Sequence, residues 1–240
     1  MSGFWQHSLW LNLLIVAIIG YLLGSISFSI IITKIFKNSE DIRNHGSGNA
    51  GATNVMRSVG KKAAALTFLF DFLKCVISVV IGYFIFRNVE YAGISAGNLP
   101  TIGKYAAGIC CVLGHIFPLY FGFKGGKGVV TSAAMIALLD WRVFLLTFLT
   151  FLIVFSIKKI ISISSIIGMS MYPIYSFVIM CLFDYANSPL KTGGQASMQY
   201  IWMITAAAAV LSLIIVWVHR ENIKRLLKGE EKPIVFRSSK

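Results

Sequence analysis

The sequence predicts an all-α integral membrane protein, a polytopic bundle of about seven transmembrane helices. Three observations carry that expectation. Of 240 residues, 57% are hydrophobic and only 13% charged. The apolar residues run in blocks of membrane length instead of recurring at the three-to-four spacing of a soluble amphipathic helix. The strict apolar–polar alternation of a membrane β-barrel does not occur.

A crossing helix needs roughly 20 apolar residues. Segments 9–33, 63–86, 103–123, 128–140, 143–157, 160–183 and 200–218 are the expected spans. The first carries no charge between Met1 and Lys34. It is too long for a cleaved signal peptide and lacks a basic start and a small-residue exit. Pro118 is expected to kink the third span. The fourth and fifth are short, and are expected to be tilted, broken or partly re-entrant, as irregular backbone is tolerated against protein or a wet cavity. The whole chain, 1–240, reads as a single membrane domain.

Lysine and arginine set the expected orientation. Segments 34–62, 124–127, 158–159 and 219–240 carry 17 of the 22, and the opposite loops carry Arg87, Lys104, Arg142 and Lys191. The richer side is expected to be cytoplasmic, which places the N-terminus outside and the C-terminus inside. An odd number of spans follows. The formal charge of +13 is thus mostly topological and suits anionic headgroups. Without a basic soluble domain it does not imply nucleic acid as a partner. Cys75, Cys110, Cys111 and Cys181 all fall within spans and show neither disulfide nor zinc spacing, so they read as packing residues. No metal or cofactor is expected.

Polar residues cluster on the expected cytoplasmic side, in three places. In the first, Asp41 and Arg43 precede the run GSGNAGATNVMR at 46–57. It contains the spelling Gly46-x-Gly48-x-x-Gly51, yet follows a membrane span and not the short strand of a dinucleotide fold. Small residues allow close approach of backbone amides to an anion, and successive amides can form a nest. Ser47, Asn49, Thr53 and Asn54 add side-chain donors, and Arg57 offers a fork for phosphate. The bland reading is a flexible loop obeying the positive-inside bias; its density of donors favours the cradle.

The second place is 114–128, which ends in KGGKG at 124–128. Gly125, Gly126 and Gly128 expose amides, and Lys127 adds an ammonium group. No serine or threonine follows Lys127, so this is not a nucleotide-binding P-loop. A tight turn between spans needs only the glycines and leaves the lysines unexplained. The third place is the end of the last span, where His219 and Asn222 share a helix face at i, i+3. A basic helix lying on anionic lipid accounts for some of the charges around them. Ser162, Ser164 and Ser165 open the sixth span, either as caps or as hydroxyl donors to an anion. Asp71 and Lys74 form an intramembrane i, i+3 pair, either neutralising each other or functional.

Three cationic, amide-rich elements on one face suit a substrate bearing both a phosphate and a fatty chain. The motifs GSISF at 24–28, DIR at 41–43 with 46–57, GHIFP at 114–118 with FKGGKG at 123–128, and HRENI at 219–223 resemble the PlsY family of bacterial acyl-phosphate:glycerol-3-phosphate acyltransferases. Their order and spacing cover nearly the whole chain. Ser27 stands where that family usually has proline, and Cys75 where it usually has glycine. Neither replaces a residue expected to bind phosphate.

The resemblance implies transfer of a fatty acyl group from a long-chain acyl phosphate to position 1 of glycerol 3-phosphate. The products would be lysophosphatidic acid and inorganic phosphate, in the first acylation of phospholipid synthesis. The expected location is the bacterial cytoplasmic membrane, with the active site facing the cytoplasm. Ser47 and adjacent amides are expected to hold the acyl phosphate or developing oxyanion, with Arg57 and Lys127 neutralising phosphate charge. His219, Asn222 and the Ser164 region are expected to position glycerol 3-phosphate. The attacking proton passes either to an oxygen of the acyl phosphate or to His219.

The His-x4-Asp motif of soluble-type glycerolipid acyltransferases is not present. Five residues beyond the four histidines stand Asn12, Ala50, Tyr120 and Lys224. A transporter for an anionic metabolite would place polar residues along a path through the bilayer, whereas these cluster at one face. A lipid-binding scaffold would not need three cradles.

Overall fold

The structure is a computed structural model that describes residues 8–91, 97–191, 196–231 and 233. It is helical, and six helical stretches are long and apolar enough to cross a membrane. The chain packs as two compact units, 1–139 and 140–240.

In the first unit, α1 (Leu9–Gly24) and α2 (Phe28–Phe36) together form the first stretch, Leu9–Phe36. A break at Ser25–Ser27 separates them, so the expected single span is two helices. A short helix α3 (Ala52–Ser58) follows, then α4 (Lys61–Phe86) and α5 (Leu99–Ile116). The kink expected at Pro118 is instead a helix end. Phe117 leaves the helical region ahead of the proline ring, and Pro118 opens a 3-10 turn at Leu119–Phe121. The fourth expected span is α6 (Val129–Leu139), 11 residues long. At about 1.5 Å per residue it reaches about half the ~30 Å of hydrocarbon.

Glycines bring three of these helices close. α1 carries Gly20 and Gly24 one turn apart, and both are buried against α5. A Cβ at Gly20 would stand 2.6 Å from the Ala107 carbonyl oxygen, and one at Gly24 would strike the backbone of Cys111. Small residues at this spacing let membrane helices approach backbone to backbone, where dispersion and hydrogen bonds replace the missing hydrophobic drive. Ser78 Oγ on α4 donates to the Ala107 carbonyl at 3.0 Å, and Tyr21 Oη on α1 donates to the Phe117 carbonyl at 2.8 Å.

At the α1–α2 break, the freed carbonyls of Gly24 and Ile26 accept from Lys74 Nζ at 3.0 and 2.7 Å. The same ammonium lies 2.9 Å from Asp71 Oδ1 and 3.0 Å from His115 Nδ1. Asp71, Lys74 and His115 are all buried. Mutual neutralisation is therefore only part of what this pair does, because Lys74 also caps the carbonyl end of α1.

The second unit contains α7 (Trp141–Lys158), α8 (Ile161–Ile179), α9 (Met198–Val218) and α10 (Arg220–Leu227). Asp140 caps α7, accepting from the Arg142 amide at 2.8 Å. The Arg142 guanidinium bridges Asp140 at 2.6 Å and Asp184 at 2.8 Å, tying the start of α7 to the π-helical turn Met180–Asp184 after α8. The buried residues of α7 are Val143 and Thr147. Its other faces are apolar and open, as suits a helix turned toward lipid.

Candidate active site

The glycine-rich loop of the first unit is organised by one side chain. Asn54 is buried. Its Oδ1 accepts from the Ser47 amide at 3.0 Å, and its Nδ2 faces the carbonyls of His45 at 2.8 Å, Asn49 at 3.0 Å and Ile42 at 3.2 Å. The sequence reading offers Asn54 as a ligand donor, but the structure spends its amide on the loop itself. Gly46 and Gly48 take φ of +57° and +70°, a left-handed conformation that glycine adopts without strain. A Cβ at Gly46 would also collide with Asn54 Oδ1. Gly46, Ser47 and Gly48 are exposed at the crest, while Asn49 and Thr53 are half-buried. Arg57, in the last turn of α3, is exposed.

Arg43 clips this loop to the second cradle. Its Nε lies 3.1 Å from both Asp41 carboxylate oxygens, and its Nη2 lies 2.7 Å from Oδ2. Its Nη1 donates to the Phe121 carbonyl at 2.7 Å and to that of Lys124 at 3.3 Å. The hydrogen bonds from Arg43 hold the Asp41 carboxyl below its ordinary value, against partial desolvation. The planar guanidinium fork allows both jobs at once.

In the second cradle, the Gly125 and Gly126 amides donate to the Ile116 and His115 carbonyls at 3.0 and 3.1 Å, closing the end of α5. Both glycines are also forced by contact. A Cβ at Gly125 would lie 2.6 Å from Pro118 Cδ, and one at Gly126 would lie 2.5 Å from the Ala50 carbonyl oxygen and strike the His115 ring. Their contribution is thus the shape of the turn, not donated amides. Gly128 (φ +76°) starts α6, with its carbonyl accepting from Thr131 Oγ1 at 2.9 Å and from the Ser132 amide at 2.8 Å. Lys127 is half-buried between them. The first unit therefore brings the Ser47–Arg57 loop and the Lys127 turn side by side.

The second unit holds the remaining expected residues. His219 ends α9, and Asn222 sits one turn on in α10; both are buried. His219 Nδ1 is 2.7 Å from the Ile215 carbonyl oxygen. A carbonyl accepts only, so Nδ1 carries the proton of this contact. Ser164 and Ser165 are buried in the first turns of α8. The serines do not cap that helix, since Ile160 holds the N-cap position. Ser164 Oγ instead donates back to the Ile160 carbonyl at 2.8 Å, and Ser162 Oγ donates to Glu231 at 2.9 Å.

Among the described residues no group of three His, Cys, Asp or Glu side chains is placed to hold a metal ion. Sequence reasoning missed two contributors. Glu231 was not singled out, and Arg43, noted with Asp41 ahead of the glycine run, was not given the role of joining the two cradles. The signal for Arg43 was available in its i, i+2 spacing from Asp41 beside the glycine run.

Comparison with known proteins places the chain in a family. The family model for glycerol-3-phosphate acyltransferase matches residues 14–229. A glycerol-3-phosphate acyltransferase of Clostridioides difficile is 38% identical over 221 residues, covering 92% of this chain and 95% of the relative. That of Aquifex aeolicus is 38% identical over 218 residues, covering 91% and 97%. The crystal structure of PlsY, an integral membrane glycerol 3-phosphate acyltransferase, in its glycerol 3-phosphate form aligns with a TM-score of 0.73 and 35% identity, over 93% of this chain and 96% of that one. Its lysophosphatidic acid form aligns with a TM-score of 0.71 and 34% identity. The chain belongs to the glycerol-3-phosphate acyltransferase family of integral membrane enzymes.

Proposed function

We propose that this glycerol-3-phosphate acyltransferase takes its acyl group from a long-chain acyl phosphate and transfers it to the 1-hydroxyl of glycerol 3-phosphate. The products are lysophosphatidic acid and inorganic phosphate, made at the cytoplasmic face of a bacterial inner membrane. The observation that carries the reading is the pair of shaped loops in the first unit, clipped together by Arg43, bearing Ser47, Arg57 and Lys127. A thioester donor presents no phosphate at its reacting carbon, whereas an acyl phosphate and glycerol 3-phosphate together present two.

The chemistry asks little of a strong base. The acceptor oxygen attacks the acyl carbonyl, the bond from that carbon to the phosphate oxygen breaks, and phosphate leaves. Ser47 and the crest of its loop hold the developing oxyanion, while Arg57 and Lys127 stabilise the charge gathering on the phosphate. His219, Asn222 and the Ser164 and Ser165 region orient glycerol 3-phosphate. The attacking hydroxyl's proton goes to an oxygen of the acyl phosphate. Its rival acceptor is His219, whose Nδ1 is occupied with the Ile215 carbonyl. Gly46, Gly48, Asn49, Thr53, Asn54, Gly125, Gly126 and Gly128 shape the phosphate-binding surface.

The test supplies purified protein with glycerol 3-phosphate and either palmitoyl phosphate or palmitoyl-CoA. Release of phosphate and formation of lysophosphatidic acid from the acyl phosphate is the expected result. Turnover with the thioester but not with the acyl phosphate would overturn the donor assignment.

A further inference from the structure

His115, in the last turn of α5, is buried with two edges of its ring engaged, both within the first unit. One edge meets the buried ion pair: Nδ1 is 3.0 Å from Lys74 Nζ and 3.5 Å from Asp71 Oδ1. The cap on α1 does not by itself call for an imidazole. An ammonium has three protons, and the Gly24 and Ile26 carbonyls and Asp71 already stand 2.7–3.0 Å from it.

The other edge meets the second cradle. A Cβ on Gly126 would strike Nε2 and stand 3.0 Å from Cε1, so the turn rests directly on the ring. The Gly126 amide donates to the His115 carbonyl at 3.1 Å. The Ala50 carbonyl oxygen of the glycine-rich loop stands 2.5 Å from the same Cβ position. His115 therefore supports the place where the two loops touch. Lys127 follows next in the chain. Its other neighbour, Gly128, is fixed by the first turn of α6, where Thr131 Oγ1 and the Ser132 amide donate to its carbonyl. The Lys127 backbone is thus pinned downstream by α6 and upstream by His115.

We propose that His115 is a positioning residue for the acyl substrate: braced by Lys74 and Asp71, its ring fixes Gly126 and so sets where Lys127 meets the phosphate of the acyl phosphate. This rests on the reading that Lys127 neutralises that phosphate. It adds what aims Lys127, and it gives the buried ion pair a task at the site besides capping α1.

The experiment uses the full-length protein and a palmitoyl phosphate analogue with a methylene in place of the bridging oxygen, which binds without reacting. His115→Asn keeps an acceptor for Lys74 Nζ and removes the ring edge under Gly126. It should melt within about 4 °C of the unaltered protein, the scale of one altered contact in a chain of this size. Lys127→Ala should weaken the analogue about 10- to 100-fold, as expected for a bond from a charged group, and His115→Asn should weaken it about tenfold. KM for glycerol 3-phosphate in His115→Asn should stay within about twofold of the unaltered protein. Losses at residues that act through one another do not add, so the double variant should bind within about threefold of Lys127→Ala alone. His115→Gln is longer and can lie against Gly126, so it should bind the analogue better than His115→Asn; it takes the same place in the cycle if His115→Asn does not fold. An unchanged Kd in His115→Asn would overturn the proposal. So would losses that multiply in the double variant, the outcome of a merely structural role. A raised KM for glycerol 3-phosphate with an unchanged Kd for the analogue would move His115 to the acceptor side and sink the inference. If Lys127→Ala leaves the Kd unchanged, the underlying reading of Lys127 fails. If Lys127→Ala weakens binding while His115→Asn does not, only the present inference fails.

Discussion

Asn54→Ala tests whether the glycine-rich loop works through its shape. The substitution deletes the Oδ1 acceptor for the Ser47 amide and the Nδ2 donor facing Ile42, His45 and Asn49. A neutral intramolecular hydrogen bond contributes about 1 kcal/mol net, and an abandoned buried partner costs about 1–3 kcal/mol. The bond to the Ile42 carbonyl is fully buried, whereas water can reach the others. The cost of ordering the loop then comes to about 2 kcal/mol, about half a kcal/mol for each of the four bonds. At 1.4 kcal/mol per decade, kcat/KM should fall about thirtyfold. The assay is phosphate release by detergent-purified protein from palmitoyl phosphate and glycerol 3-phosphate, with a melting curve recorded alongside. Gly46→Ala, which places a Cβ on Asn54 Oδ1 at a φ of +57°, should reproduce the loss. Activity within about threefold of the unaltered protein in both variants, well short of the loss expected from the broken bonds, would refute the shaped-cradle argument.

Lys74→Met removes the ammonium that Asp71 and two carbonyls share. Breaking a buried pair on one side costs about 3–5 kcal/mol, so the melting temperature should drop sharply, and the double variant Lys74→Met/Asp71→Leu should recover part of it. Arg43→Lys keeps the charge but loses the fork, so activity should fall about tenfold with little change in melting, as expected where bidentate geometry matters. The depressed Asp41 carboxyl gives a pH test of the same clip. A carboxyl lowered on folding contributes stability above its unfolded value of about 3.9 and loses it as pH falls through the folded one. Proteolytic protection of the 41–46 segment should therefore be flat from pH 8 to 5 and fall only in stronger acid. His219→Gln should raise KM for glycerol 3-phosphate while keeping substantial turnover; abolished turnover with acceptor affinity intact would favour His219 as the base.

The apolar blocks were legible because hydrocarbon demands length, and length is visible in a string. The six long stretches begin and end within a few residues of their expected limits. The break at Ser25–Ser27 was not legible, since it lies inside one long, mostly apolar block and the ammonium that takes up its carbonyls, on Lys74, is 47 residues onward. The fourth block read as a short span for lack of any means to tell 11 apolar residues buried in protein from a crossing helix. Among the candidate residues, Ser47, Arg57 and Lys127 stood out by type and company. Asn54 stood out for the wrong reason, because a side-chain amide looks the same whether it faces a ligand or its own loop. Glu231 was hidden by the opposite problem, as its partners Ser162, Asn222 and Arg225 are set by packing of α8 against α10.

The Lys74 cluster bears on how the molecule is built in the cell. Lys74 belongs to α4, its carbonyl ligands to the α1–α2 break, and its imidazole neighbour to α5. Each helix can enter the bilayer as the ribosome delivers it, and Lys74 enters with Asp71 of the same helix beside it, which offsets part of the cost of a charge in lipid. The two carbonyls that complete its shell come from the α1–α2 break, so α4 is fully satisfied once α1 has docked. A chain whose α1 is misinserted would carry an ion pair short of two hydrogen-bond partners, the kind of defect that membrane quality control removes.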